Sequence, residues 1–246
     1  MTMQGVLFFA VSVFALACSN SAPAGGYENT IFETQDKKTK FRVETVATGL
    51  EVPWAFAWLP NKELIFTERK GRVRIIESGK LRAEPIFTVP DVEPSGESGL
   101  MDISLHPDSA KNTFAYLAYS YNNDGKRVKV VRYKLANNTF TEPKIIIDNI
   151  PGAPNHAGMR ARFGPDGKLY ITTGDSTDWT LAQKLDSLAG KTLRLNDDGT
   201  VPPDNPFVGQ KDARPEIWAY GNRNPQGLAW QPGTGMMFQT EHGPSF

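Results

Sequence analysis

The feature that most constrains this chain is a strand–turn–strand unit that recurs four times. It reads A-W-L-P-N-K-E-L-I-F from Ala57, S-L-H-P-D from Ser104, R-F-G-P-D-G-K-L-Y-I from Arg162 and A-W-Q-P-G-T-G-M-M-F from Ala229. Each unit sets an apolar run before a proline with Asn, Asp or Gly, and an apolar run follows the fuller copies. Proline has no amide to give to a sheet ladder, so it marks corners between strands and not their middles. The four prolines, Pro60, Pro107, Pro165 and Pro232, are about 47, 58 and 67 residues apart, in or above the range of radially repeated sheets. In such an array the inner strand ends and their loops line a central site. A β-sandwich with coincidental Pro-Asp turns is the competing arrangement.

The segments between the corners are short and β-like. Glu63–Glu68, Arg72–Ile76, Phe114–Tyr121, Lys126–Tyr133, Lys168–Thr173 and Lys191–Leu195 are rich in branched and aromatic residues and are bounded by Gly, Asn or Ser, as strands of an all-β array are. Only Trp179 to Leu188 looks helical, as a short insertion in a loop. From about Lys40 onward roughly 205 residues remain, enough for about four blades of ~45–50 residues. The expected fold is therefore an all-β propeller of which about four blades are present, with the last stopping mid-blade at the C-terminus.

The N-terminus is organised differently. Val6 to Ala17 is uncharged and almost wholly apolar, at the length of a signal-peptide core and short of the ~20 residues that span a bilayer. It ends in A-L-A-C and a small, polar stretch, S-N-S-A-P-A-G-G. This resembles the lipobox of bacterial lipoproteins, in which Cys18 carries the lipid, although Ala15-x-Ala17 also fits ordinary signal-peptidase cleavage. The expected organisation is a signal and tether over 1–25, a linker over 26–39 and the propeller over 40–246. The expected location is the bacterial periplasm or outer membrane, with membrane anchoring through lipid on Cys18.

Charge and cysteine content remove several functions. The 27 Lys+Arg balance 27 Asp+Glu, so there is no basic surplus for a nucleic-acid partner. Cys18 is the single cysteine, which excludes an internal disulfide framework, a Cys-cluster metal site and a C-x-x-C-H haem site.

Five segments, in order along the chain, resemble the glucose/sorbosone dehydrogenase family, the soluble aldose sugar dehydrogenases that depend on pyrroloquinoline quinone (PQQ). They are V-A-T-G-L-E-V-P-W-A-F-A-W-L-P (Val46 to Pro60), E-S-G-L-M-D-I-S-L-H-P-D (Glu97 to Asp108), N-H-A-G-M-R-A-R-F-G-P-D-G-K-L-Y (Asn155 to Tyr170), G-N-R-N-P-Q-G-L-A-W (Gly221 to Trp230) and E-H-G-P (Glu241 to Pro244). The resemblance implies a six-bladed ring, PQQ and Ca2+ as cofactors, and oxidation of an aldose sugar to its lactone with electrons leaving to an external acceptor.

The residues support this chemistry to different degrees. Histidine suits a base near neutral pH, and His156 sits in an inter-strand loop; by resemblance it is the general base, otherwise the cap of a turn. By resemblance Arg223 contacts the quinone, where a fixed guanidinium suits a developing negative charge, and Asn224 hydrogen-bonds the cofactor; the alternative for Arg223 is a turn held through carbonyls. Carbonyls of Gly243 and Pro244 are implied calcium ligands, a donor type calcium accepts. Glu97 is either a cofactor contact or an exposed loop carboxylate. Asp175 and Ser176 either touch substrate or form an Asx-turn. His106 reads as a turn residue. Met159, Ser98 and Asp102 stand where the family tends to have glycine, and a side chain there can obstruct a cofactor face. The alternative function is a non-catalytic sugar-binding or scaffolding propeller lipoprotein.

Overall fold

The computed structural model describes residues 31–243; Cys18, the expected signal segment and Pro244 lie outside the described residues. The chain divides into two compact units at Val46 and Ala47. In the first, strands β1 (Ile31–Glu33) and β2 (Lys40–Arg42) form an antiparallel hairpin. The rings of Phe32 and Phe41 stack across it at 5.4 Å. Paired strands thus occupy part of the stretch that reads as a linker.

The second unit carries four antiparallel sheets. The first holds β3 (Pro53–Trp58), β4 (Leu64–Glu68), β5 (Arg72–Glu77) and β6 (Lys80–Leu81) in order, with β7 (Phe87–Thr88) also on β5. The second runs from β8 (Leu100–Leu105) through β9 (Phe114–Asn122) and β10 (Lys126–Ala136) to β11 (Thr139–Pro151). The third follows the same order with β12 (Gly158–Phe163), β13 (Leu169–Thr173), β14 (Lys191–Leu195) and β15 (Ile217–Tyr220). The fourth is a pair, β16 (Pro225–Trp230) and β17 (Met237–Glu241).

The first strands of the sheets pack in succession, β3 on β8, β8 on β12 and β12 on β16. They are the inner strands of a propeller arrangement, as the repeat leads one to expect. The four prolines all follow inner strands and so lie at one end of the array. The loops that precede β8, β12 and β16 gather at the other.

Apolar side chains from facing sheets fill the space between them. Ile65, Ile75, Ile103 and Leu117 join the first two sheets; Val128, Ile150, Leu169 and Leu193 join the second and third. Each such side chain contributes about 1.5–3 kcal/mol on burial. β13 and β14 are buried along their whole length, as strands covered on both faces are.

Polar links between the inner strands fix their relative positions. Arg160 on β12 donates to Met101 O and Asp102 Oδ1 on β8, both at 3.2 Å, and to Gln226 O on β16 at 2.6 Å. Asp102 is fully buried and also accepts from Ala161 N and Arg162 Nη1. Its carboxylate is therefore an inter-sheet tie. Ser98 is likewise buried with its hydroxyl on Ser95 O, and Met159 packs in the core.

Two elements differ from the sequence reading. The helical stretch is a single 3-10 turn, Trp179–Gln183, capped by the Asp178 carboxylate on Thr180 N. β11 is a thirteen-residue edge strand with several register shifts; its Thr, Glu and Lys residues face solvent, which leaves no alternation to read.

Candidate functional site

Three loops that enter inner strands meet around His156. His156 precedes β12 with its backbone in the left-handed region, φ +56°. That conformation costs roughly 1–2 kcal/mol for a residue with a side chain, so neighbouring bonds must hold it. Its amide donates to Glu97 Oε2 at 3.1 Å, and its carbonyl accepts from Ser176 N at 3.2 Å. Glu97 is itself anchored, since its amide donates to Pro154 O at 2.7 Å.

The imidazole is oriented by Asp175. Nδ1 of His156 lies 2.8 Å from Asp175 Oδ1, and the Asp175 residue is 3% exposed. A carboxylate oxygen only accepts, so Nδ1 carries a proton, and in the neutral imidazole Nε2 is left with a lone pair. The same Oδ1 accepts from Thr177 N at 2.8 Å, an Asx-turn that fixes the carboxylate. Asp175 N in turn donates to Arg223 O at 2.7 Å.

Gly174 makes the close approach of these two loops feasible. A Cβ at this position would stand 1.8 Å from the His156 carbonyl oxygen. Glycine is the residue that lets two backbones meet so closely.

Asn224 is fully buried at the start of β16. Its Oδ1 accepts from Gly158 N at 3.0 Å and its Nδ2 donates to Glu97 Oε2 at 3.1 Å. Gln226 Nε2 reaches the same Glu97 oxygen at 3.5 Å. One carboxylate oxygen thus gathers donors from the β12 and β16 segments onto the loop before β8.

Arg223 bonds to the chain that follows β17. Its Nη1 donates to the carbonyls of His242 at 2.9 Å and Gly243 at 3.2 Å. Its backbone amide, and that of Asn224, donate to Glu241 Oε1. Two carbonyl oxygens that converge on one cationic nitrogen are the hard donors calcium takes. Among the described residues no group of three or more His, Cys, Asp or Glu side chains could hold a metal, so a cation here would draw on carbonyls.

The structure therefore brings His156, Glu97, Asp175, Ser176, Arg223, Asn224 and Gly243 into one linked set. Asp175 stands behind the imidazole and forms the Asx-turn that is the alternative to a substrate contact; Arg223 holds carbonyls, the alternative to a quinone contact; both polar ends of Asn224, expected on the cofactor, are engaged within the protein. Gln226 and Glu241 join this set too, and the only sequence signal for either is its place in the segments R-N-P-Q-G and E-H-G-P. His106 lies outside this set: its ring packs edge-on against Phe163 and its Nδ1 accepts from Asp108 N.

The sequence profile of the glucose/sorbosone dehydrogenase family matches residues 50–246. The aldose sugar dehydrogenase YliI of Escherichia coli is 39% identical over 209 residues, which cover 82% of this chain and 56% of that protein. The PQQ-bound aldose sugar dehydrogenase of Streptomyces coelicolor superposes with a TM-score of 0.74 at 36% identity, over 82% of this chain and 60% of that one. A Thermus thermophilus protein described as a putative oxidoreductase (glucose dehydrogenase) superposes with a TM-score of 0.78 at 44% identity, over 82% and 62%. The chain spans a little over half the length of the first two curated relatives it matches.

Proposed function

This chain belongs to the glucose/sorbosone dehydrogenase family, and from that premise we propose that it oxidises an aldose at the anomeric carbon to the lactone, with PQQ and calcium as cofactors and an external electron acceptor. The observation that carries this reading is the His156–Asp175 pair, 2.8 Å apart at the mouth of an inner strand.

PQQ, when bound, supplies the acceptor for the two electrons that leave with the C1 hydrogen, and calcium supplies positive charge beside it. His156 Nε2 takes the proton of the anomeric hydroxyl, as a general base must. Asp175, buried against Nδ1–H, holds the imidazole in the accepting tautomer and stabilises its protonated form. The Arg223 guanidinium, which donates to the His242 and Gly243 carbonyls in this structure, would offer its permanent charge to a developing oxyanion once calcium takes the Gly243 carbonyl. The Gly243 carbonyl, with that of Pro244, would hold the calcium. Export through the N-terminal segment, with lipid on Cys18 and a periplasmic or outer-membrane location, belongs to the same proposal.

The test is a dye-linked assay of the purified protein supplied with PQQ, calcium and an aldose. Dye reduction that requires both additions supports the reading. Sugar binding with no dye reduction under any combination overturns it in favour of a non-catalytic sugar-binding propeller.

A further inference from the structure

We propose that Lys191 is a positioning residue that holds the Asp175 loop and the Gly221–Asn224 loop in place around His156. Lys191 is fully buried at the start of β14. Its Nζ donates to three backbone carbonyls, Leu181 at 2.8 Å, Ala182 at 3.0 Å and Ala189 at 2.6 Å. An ammonium has three N–H groups, and each has one carbonyl. Burial pushes its pKa down to about 8, against the nearby Asp186, which favours the charged form; at neutral pH the third N–H is retained.

Those carbonyls belong to the segment that returns from Asp175. Leu181 and Ala182 lie in the 3-10 turn and Ala189 lies just before β14, so one side chain pins both ends of the stretch. Ala182 O also accepts from Gly221 N at 3.0 Å, and Gly190 O accepts from Asn222 N at 3.0 Å. Gly190 N donates to Gly174 O at 2.7 Å, one residue before Asp175. The ammonium thus stands at the junction of the two segments that carry Asp175 on one side of His156 and Arg223 with Asn224 on the other. Backbone carbonyls in a buried loop need partners; an apolar side chain here would leave Ala189 O without one and would reduce Leu181 O and Ala182 O to their single backbone donors, Lys184 N and Gly221 N.

This inference rests on the reading of His156 as the base, but its test needs no cofactor. In 15N-histidine NMR of the purified chain, the Nδ1–H resonance of His156 is assigned by its loss in His156→Gln. Lys191→Met is expected to broaden or abolish that resonance while circular dichroism keeps the wild-type strand signal. Trypsin cleavage after Lys184, in the same loop, is expected to rise by about tenfold or more as the loop opens locally. If Lys191→Met does not fold, Lys191→Gln, which keeps N–H groups for two of the carbonyls, takes its place. In the wild type, the Lys191 Nζ protons are expected to exchange far more slowly than those of surface lysines. A folded variant with an undiminished resonance, or fast exchange at Nζ in the wild type, overturns the proposal. Failure of the dehydrogenase reading shows separately, as no dye reduction by the wild type.

Discussion

Nδ1 of His156 lies 2.8 Å from Oδ1 of Asp175, and that same oxygen accepts the amide of Thr177 at 2.8 Å. Two donors fix one carboxylate oxygen, and the carboxylate fixes the imidazole. Asp175→Asn presents an amide that can donate to Nδ1, which favours the tautomer with its proton on Nε2 and no lone pair for substrate. Sugar oxidation should fall by roughly 10²–10⁴-fold in kcat, with KM for the aldose little changed because Asp175 is buried. Steady-state kinetics with a dye acceptor checks both halves of this expectation.

Glu97 Oε2 is shared by His156 N, Asn224 Nδ2 and Gln226 Nε2. Glu97→Ala leaves these donors without their acceptor, at a cost of about 1–3 kcal/mol for a buried orphan. For a chain of this size that is a fall in Tm of roughly 2–4 °C per kcal/mol. Glu97→Gln keeps one carbonyl oxygen and should fall between the wild type and the alanine variant. Calorimetry on the three proteins gives the order directly.

Gly174→Ala tests the contact between the two loops. The added methyl would need to occupy a point 1.8 Å from the His156 carbonyl oxygen, and the surroundings are backbone. A loss of about 3 kcal/mol or more is expected, together with loss of the His156–Asp175 bond. A denaturant melt and the histidine resonance report the two effects.

Asp166 predicts an acid sensitivity far from the site. Burial alone would raise its pKa, but the Lys168 amide, Arg194 and the Tyr170 hydroxyl outweigh it and hold the carboxyl below its ordinary value. The folded state therefore binds this proton less readily than the unfolded one. Its stabilisation is fully present above the ordinary carboxylate range, about pH 4, and is lost as pH falls through the lowered folded value. Asp166→Asn should lower Tm near neutral pH, and the gap to wild type should close on acidification. Melting curves between about pH 3 and about pH 7 decide it.

The fold was legible because its punctuation is local. Pro60, Pro107, Pro165 and Pro232 mark corners by their own chemistry, and strands such as Lys191–Leu195 carry their apolar pattern in five residues. β11 was not legible, because an edge strand with bulges owes its pairing to β10 and not to its own sequence. His156 could be singled out as one of three histidines in a loop. Its dependence on Asp175, Glu97 and Gly174 could not, since those contacts join residues from 18 to 59 positions away. In the sequence Lys191 marks only the start of a strand, because a strand lysine ordinarily faces water and nothing local shows three carbonyls closing over it.

The proposed oxidation turns on His156 as the base. Stopped-flow mixing of the PQQ- and calcium-loaded protein with an aldose follows the reduction of bound cofactor in a single turnover, before any dye reacts. His156→Gln should slow that reduction by at least ~10²-fold while the affinity for the cofactor stays at the wild-type value. Reduction at the wild-type rate in a loaded, folded His156→Gln variant would contradict the account.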